Sequence, residues 1–155
     1  MNPGPEAWHE AGHALAAHRL GGRVFEVTLE SEREGVEGHV SVEWGRADDE
    51  TEAHRQATVA LAGPVAELVF QGEDVLHDPE ALASWRADWE TAESWLIRGH
   101  ADPLARDEAR HAILRELHTL FDGPAGYERL ARVADALDAH VTLDDRLFLE
   151  AVEDR

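Results

Sequence analysis

Hydrophobic and polar positions follow two different spacings along the chain, and the change between them separates helical from extended segments. A helix is predicted from Pro5 to about Leu20, because proline suits a first helical turn and the glycine pair that follows ends a helix. RVFEVTLE (residues 23–30) and VEGHVSVEW (residues 36–44) alternate with a period of two. This alternation predicts the two strands of a hairpin.

The remainder of the chain is predicted to be helical. In the first strand, strict alternation places Phe25, Val27 and Leu29 together on one face. Helices are predicted near the following segments, with Thr142 as the N-cap residue of the last: Glu50–Gln71, Pro79–Arg98, Pro103–Phe121, Ala125–His140 and Thr142–Asp154. Because the sequence has no internal repeat and no linker, residues 1–155 are predicted to form one domain of the α+β class, mostly α.

The first helix contains the sequence HEAGH, in which His9 and His13 stand four residues apart and share a helix face. Two such histidines can bind one metal ion, and Glu10 lies beside them, where it can act as a general base on a water molecule. The alternative is a chance match in a chain with ten histidines. Gly12 favours the metal interpretation, because glycine inside a helix costs about 1 kcal/mol relative to alanine and indicates a closely packed neighbour.

A catalytic zinc commonly has three protein ligands, so a third ligand is expected elsewhere in the chain. The chain has no cysteine, which excludes a cysteine ligand. Ala16 and Arg19 occupy the positions where a metzincin has glycine and histidine, which excludes the metzincin pattern. Asp88 lies on an apolar helical stripe that also contains Trp85 and Ala92. A carboxylate buried there needs a partner, which is either a metal ion or a hydrogen-bonding or ion-pairing side chain.

Glu67, in LAGPVAELVFQG, is the competing acid. It can be the third ligand, an acid that orients a ligand histidine, or a glutamate on the helix surface. His39 on the hairpin leaves two interpretations open as well. It either faces the cleft, where it can polarise a carbonyl group, or it is a solvated strand residue.

Three segments together resemble the zinc peptidase domain of FtsH, the ATP-dependent bacterial protease. HEAGHALAA (residues 9–17) resembles the metal-binding helix of that family, and LAGPVAELVFQG (residues 61–72) resembles its glycine-rich helix. RADWETAE (residues 86–93) resembles the segment that carries its third zinc ligand. The resemblance covers most of the chain, and HEAGH is its specific motif.

The resemblance implies a helical, zincin-like peptidase domain. In such a domain Zn²⁺ is held by His9, His13 and Asp88, and Glu10 is the catalytic base. Members of the family carry a membrane anchor and an ATPase before the peptidase domain. Here the motif begins at the ninth residue of the chain, so we expect a peptidase domain without either part.

Charge and hydropathy limit the partners that we expect. The formal net charge is −19, and all 14 basic residues are arginine. Such a charge repels phosphate backbones and anionic membrane surfaces, so neither nucleic acid nor a membrane is an expected partner. No stretch approaches the roughly 20 apolar residues of a spanning helix, and the N-terminus lacks the pattern of a signal peptide, so a cytoplasmic protein is expected.

Two functional hypotheses follow from these patterns. The first is an ATP-independent zinc metallopeptidase that hydrolyses peptide bonds in peptides or unfolded protein segments. The second is a metal-binding, peptidase-like interaction or regulatory module with little or no hydrolytic activity. A homo-oligomer is compatible with either hypothesis.

Overall fold

Six helices and three short strands make up the described part of the chain, which covers residues 3–30, 38–72 and 85–153 of a computed structural model. The predicted α+β class, mostly α with a small sheet, is confirmed. In chain order the elements are α1 (Pro5–Arg19), β1 (Arg23–Thr28), β2 (His39–Glu43), α2 (Asp49–Gln71), α3 (Arg86–Gly99), α4 (Pro103–Asp122), α5 (Pro124–His140), β3 (Thr142–Asp144) and α6 (Asp145–Glu153).

The predicted first helix and hairpin are both present. Helix α1 ends where the sequence places its glycine pair, and Gly21 has a φ of 90°, a conformation that favours glycine. Strands β1 and β2 pair antiparallel, and residues 31–37 between them lie outside the described residues. The hairpin therefore follows α1 directly, as the alternation predicts.

The predicted face of β1 is wrong, because the strand contains a bulge. Its pairing with β2 shifts between Val24 and Glu26, which leaves Phe25 as the extra residue. Phe25 is consequently 42% exposed, whereas Val24 and Val27 are both buried. Val24 and Val27 are three residues apart, and strict alternation would place them on opposite faces of the strand. The bulge places both on the buried face.

The predicted helix Thr142–Asp154 is wrong at its start, because its first three residues form β3. This strand pairs antiparallel with β1, so the sheet order is β2-β1-β3. The hydroxyl groups of Thr142 and Thr28 lie 2.7 Å apart across the pair. The N-terminus of α6 is instead capped by Asp144, whose carboxylate accepts a hydrogen bond of 2.8 Å from the backbone N–H of Leu147.

Helices α2 and α3 carry the acids that the sequence singles out. Helix α2 begins after Asp48, whose side chain caps it, and it continues through Pro64 to its end. The predicted segment Pro79–Arg98 begins outside the described residues. The prediction that this helix includes Trp85 is wrong, because Trp85 precedes α3 and has a non-helical ψ of 66°.

Helices α1 and α2 pack closely enough to require a glycine at position 12, as the sequence predicts. A Cβ atom on Gly12 would lie 2.5 Å from the carbonyl oxygen of Ala62 and 2.6 Å from the Cβ of Ala66. Larger side chains, among them Phe121, Leu130 and Phe148, continue the same core among α4, α5 and α6. No helix among the described residues has the length and apolar character needed to cross a bilayer.

Replacing Gly12 by alanine should destabilise the fold, because the new methyl group meets backbone atoms of α2. Overpacking of this kind costs about 3 kcal/mol at its upper end, and the gain in helix propensity recovers about 1 kcal/mol. We therefore expect the free energy of unfolding, measured by urea denaturation, to fall by about 2 kcal/mol. The control is Gly45→Ala, because a Cβ on Gly45 meets open space. Equal stability of the two variants would contradict the close approach of the helices.

Candidate metal centre

Helix α1 places three potential metal ligands on neighbouring positions of its surface. His9 and His13 are one helical turn apart, and their ring centroids are separated by 4.7 Å. The candidate ligand atoms of His9, Glu10 and His13 all lie within 4.8 Å of one another. This group could therefore hold a metal ion.

Helix α2 fixes the orientation of both imidazole rings through contacts with their Nδ1 atoms. The Nδ1 atom of His13 donates a hydrogen bond of 2.6 Å to the backbone carbonyl of Val59. The Nδ1 atom of His9 lies 2.8 Å from Oε1 of Glu67. Because the carbonyl oxygen of Val59 and the carboxylate oxygen of Glu67 act as acceptors, Nδ1 is the donor in both rings. The Nε2 atoms of the two rings are left to face the site.

Helix α3 brings the third candidate ligand to the same point. The Oδ2 atom of Asp88 lies 2.8 Å from Nε2 of His9 and 3.5 Å from Nε2 of His13. Each contact is an ion pair when the imidazole ring is protonated, and the same three atoms are available as ligands when the two Nε2 atoms carry no proton. The residues that the sequence predicts as metal ligands are thus adjacent in space.

The three open interpretations of Glu67 are narrowed by its contacts. Its Oε1 atom accepts hydrogen bonds from Nδ1 of His9 and, at 3.2 Å, from the indole N–H of Trp85. Its side chain is only 14% exposed, which excludes the surface interpretation. A carboxylate in this position orients the His9 ring and makes its free nitrogen more basic.

Burial and hydrogen bonding act in opposite directions on the pKa values of the cluster. Burial disfavours the charged form of His9, but hydrogen bonds to Asp88 and Glu67 outweigh burial and raise the pKa of His9 to about 10. Burial is likewise outweighed at His13, where the hydrogen bond to Asp88 raises the pKa. Burial works against the charged form of Asp88 as well, and hydrogen bonds from His13 and His9 hold its pKa well below the usual range. The cluster therefore strongly stabilises positive charge next to Asp88.

Glu10 lies at the edge of the cluster in a different environment. It is 8% exposed, and burial raises its pKa, while the nearby His13 and His9 act in the opposite direction. The chain leading into β2 packs directly on it, since a Cβ on Gly38 would lie 2.7 Å from Cδ of Glu10. Glu10 is therefore held beside the two histidines without a hydrogen bond to either.

Gly63 on α2 leaves space next to the histidine nitrogens. A Cβ atom at this position would lie 2.5 Å from Nε2 of His13 and 2.8 Å from Nε2 of His9. Any larger residue would press against the two nitrogens that face the site. Sequence reasoning missed this role, although a glycine in the middle of a predicted helix is the same signal that singles out Gly12.

An open cleft of about 810 Å³ gives access to the cluster. The residues at the start of β2 line one part of it, and residues 85–88 at the start of α3 line another. His39 belongs to the cleft and is also exposed, with its Nε2 atom 2.8 Å from the hydroxyl oxygen of Ser41. His39 is therefore a solvated strand residue at the edge of the cleft, and its part in polarising a carbonyl group stays a prediction.

Comparison of the chain with protein-family models and with curated proteins found no match.

Replacing Gly63 by alanine should weaken the binding of divalent metal ions, because the added methyl group contacts both Nε2 atoms. We expect the dissociation constant for Zn²⁺, measured by competition with a chelating dye, to rise by about 100-fold, the upper end of the effect of mutations around metal ligands. Circular dichroism checks that the variant is folded. Gly45→Ala should bind Zn²⁺ like the unmodified chain, and an unchanged affinity in Gly63→Ala would contradict the placement of the site.

Proposed function

We propose that this chain is a zinc metallopeptidase of the zincin type that hydrolyses peptide bonds in peptides or unfolded protein segments. The observation that carries the proposal is the convergence of Nε2 of His9, Nε2 of His13 and Oδ2 of Asp88 on one point beside Glu10. Two imidazoles and one carboxylate form a three-ligand set of the kind found at catalytic zinc. The resemblance of three segments to the FtsH peptidase domain supports the same assignment.

The surroundings of the three residues fit a divalent ion. Both imidazole rings are held with Nε2 facing the site, and Gly63 leaves space beside these two nitrogens. We assign His9, His13 and Asp88 as the ligands. We assign Glu67 as the acid that orients His9, because its carboxylate contacts Nδ1 of that ring and not Nε2.

Each residue at the site has a part in the proposed reaction. A bound zinc ion supplies Lewis acidity, which polarises the scissile carbonyl group and lowers the pKa of water. Glu10 accepts a proton from the attacking water and passes it to the nitrogen of the leaving amine. The burial that raises the pKa of Glu10 favours the first of these steps, because a carboxylate with a higher pKa is a stronger base towards the attacking water.

The sheet offers a place for an extended substrate. Strand β2 pairs with β1 on one side and has no strand partner on its other side among the described residues. Gly38, His39 and Val40, where this strand begins, line the cleft that leads to the cluster. A peptide that adds to β2 as a further strand would have its backbone held by main-chain hydrogen bonds, which suits unfolded segments better than folded domains.

The assignment of ligands predicts an order of effects on zinc binding. The unmodified chain should bind about one equivalent of zinc, in keeping with a single site. Asp88→Ala removes a ligand and should weaken binding more than Glu67→Ala, which removes only an orienting contact and should cost about 10- to 100-fold in affinity. Glu90→Ala, an exposed position on α3, is the control. If Glu67→Ala weakens zinc binding more than Asp88→Ala does, Glu67 is the ligand and the assignment of Asp88 is wrong.

Hydrolysis itself is tested with Glu10→Gln. This variant should keep zinc and lose about 10²- to 10⁴-fold in the rate of cleavage of a fluorescently labelled unfolded protein, because the base is gone while the ligands remain. Glu6→Gln is the matched control, since Glu6 lies on the same helix and lines the same cleft. Full activity in Glu10→Gln would refute the peptidase mechanism. Zinc binding by a chain that cleaves nothing would instead support a metal-binding interaction module.

A further inference from the structure

A second groove lies apart from the metal centre, where the end of α1 meets α4, α5 and the end of α6. It is an open groove of about 600 Å³, and an adjoining groove of about 440 Å³ shares four of its lining residues. None of the residues assigned to the metal centre lines either part. We call the two together the arginine groove, because their lining includes Arg19, Arg115, Arg129 and Arg132.

The concentration of positive charge in the arginine groove is unusual for this chain. The chain has 14 arginines against 33 acidic residues, and four of the arginines meet here. The groove also includes His18, whereas its acidic residues are only Glu116 and Glu153. Because the rest of the surface is acidic, with a net charge of −19 for the chain, this positive site attracts only anions small enough to lie within the groove, away from the surrounding carboxylates.

The arginines of the groove differ in how they are used. Arg132 has a structural role, since it donates hydrogen bonds to the carbonyls of Ala151 and Val152 and pairs with Glu128 at 3.2 Å. Within residues 3–30, 38–72 and 85–153, no carboxylate forms an ion pair with any of the remaining three, Arg19, Arg115 and Arg129. All three are exposed, and their guanidinium groups are available to a ligand.

The groove combines this charge with apolar surface. Leu15, Leu120 and Val152 line it together with the arginines. A guanidinium group binds carboxylate or phosphate through two parallel hydrogen bonds, and apolar side chains accommodate the body of an organic molecule. The volume of the larger part, about 600 Å³, falls within the range of small-molecule sites, which is about 300–1,000 Å³. An extended polyanion does not suit this site, because its remaining charge would meet the acidic surface.

From these observations we propose that the arginine groove binds a small organic anion. Its phosphate or carboxylate group is held by Arg19 and Arg129, which line both parts of the groove, and its apolar body lies against Leu15 and Leu120. Because the groove shares no assigned residue with the metal centre, the proposal does not depend on peptidase activity.

The proposal is tested by calorimetric titration with phenyl phosphate, benzoate and inorganic phosphate, each as a separate probe. Phenyl phosphate or benzoate should bind with a dissociation constant of about 1 mM or tighter, and the comparison of the two identifies the preferred anionic group. Inorganic phosphate should bind at least about tenfold more weakly, because it has no apolar body. Equal binding of inorganic phosphate, or no binding of either organic probe, would overturn the proposal.

Variants show whether the probe occupies the groove. Arg129→Gln and Arg19→Gln should each weaken binding by at least about tenfold, because each removes a charge-assisted pair of hydrogen bonds. Arg46→Gln is the control, since Arg46 is exposed and does not line the groove. Asp88→Ala should leave the affinity unchanged, which separates the groove from anion binding at zinc. If Arg46→Gln or Asp88→Ala reduced the affinity for the organic anion as much as Arg129→Gln does, the assignment of its binding site to the arginine groove would be overturned.

Discussion

The close approach of α1 and α2 is the constraint on which the rest of the structure depends. Gly12 lets α1 contact the backbone of α2, and Gly63 lets α2 lie directly against the imidazole rings of α1. With larger residues at these positions the helices would separate. His13 would then lose the carbonyl of Val59, and His9 would lose the carboxylate of Glu67. The packing of two small-residue helices thus sets the tautomer and direction of both histidines.

The charges around the two histidines favour a cation at this point. Glu10, Glu67 and Asp88 surround two largely buried imidazoles, and none of these carboxylates has an arginine partner among the described residues. Burying several carboxylates together is costly unless positive charge accompanies them. The contacts with Asp88 and Glu67 that raise the pKa of His9 favour positive charge here, and a divalent metal ion would supply that charge at ligands that zinc favours.

The sequence predicts the parts of this site that depend on helical spacing. His9 and His13 are recognisable because residues four apart share a face, and Asp88 because it interrupts an apolar stripe. The carbonyl of Val59 carries no sequence signal, since every residue has one. Trp85 precedes α3 with a non-helical ψ, and its indole N–H donates a hydrogen bond to Glu67 on α2, a contact that helical spacing does not predict. The bulge in β1 and the three-residue strand β3 likewise arise from pairing within the sheet, which local spacing does not determine.

We propose that Asp88 completes a zinc site whose histidines are oriented by α2. It is tested most directly by anomalous X-ray diffraction from crystals of the zinc-loaded protein. The account predicts one strong anomalous peak at about 2 Å from Nε2 of His9, Nε2 of His13 and a carboxylate oxygen of Asp88, with Glu67 still on Nδ1 of His9. A peak bound by Glu67 in place of Asp88, or no peak between the two histidines, would contradict it.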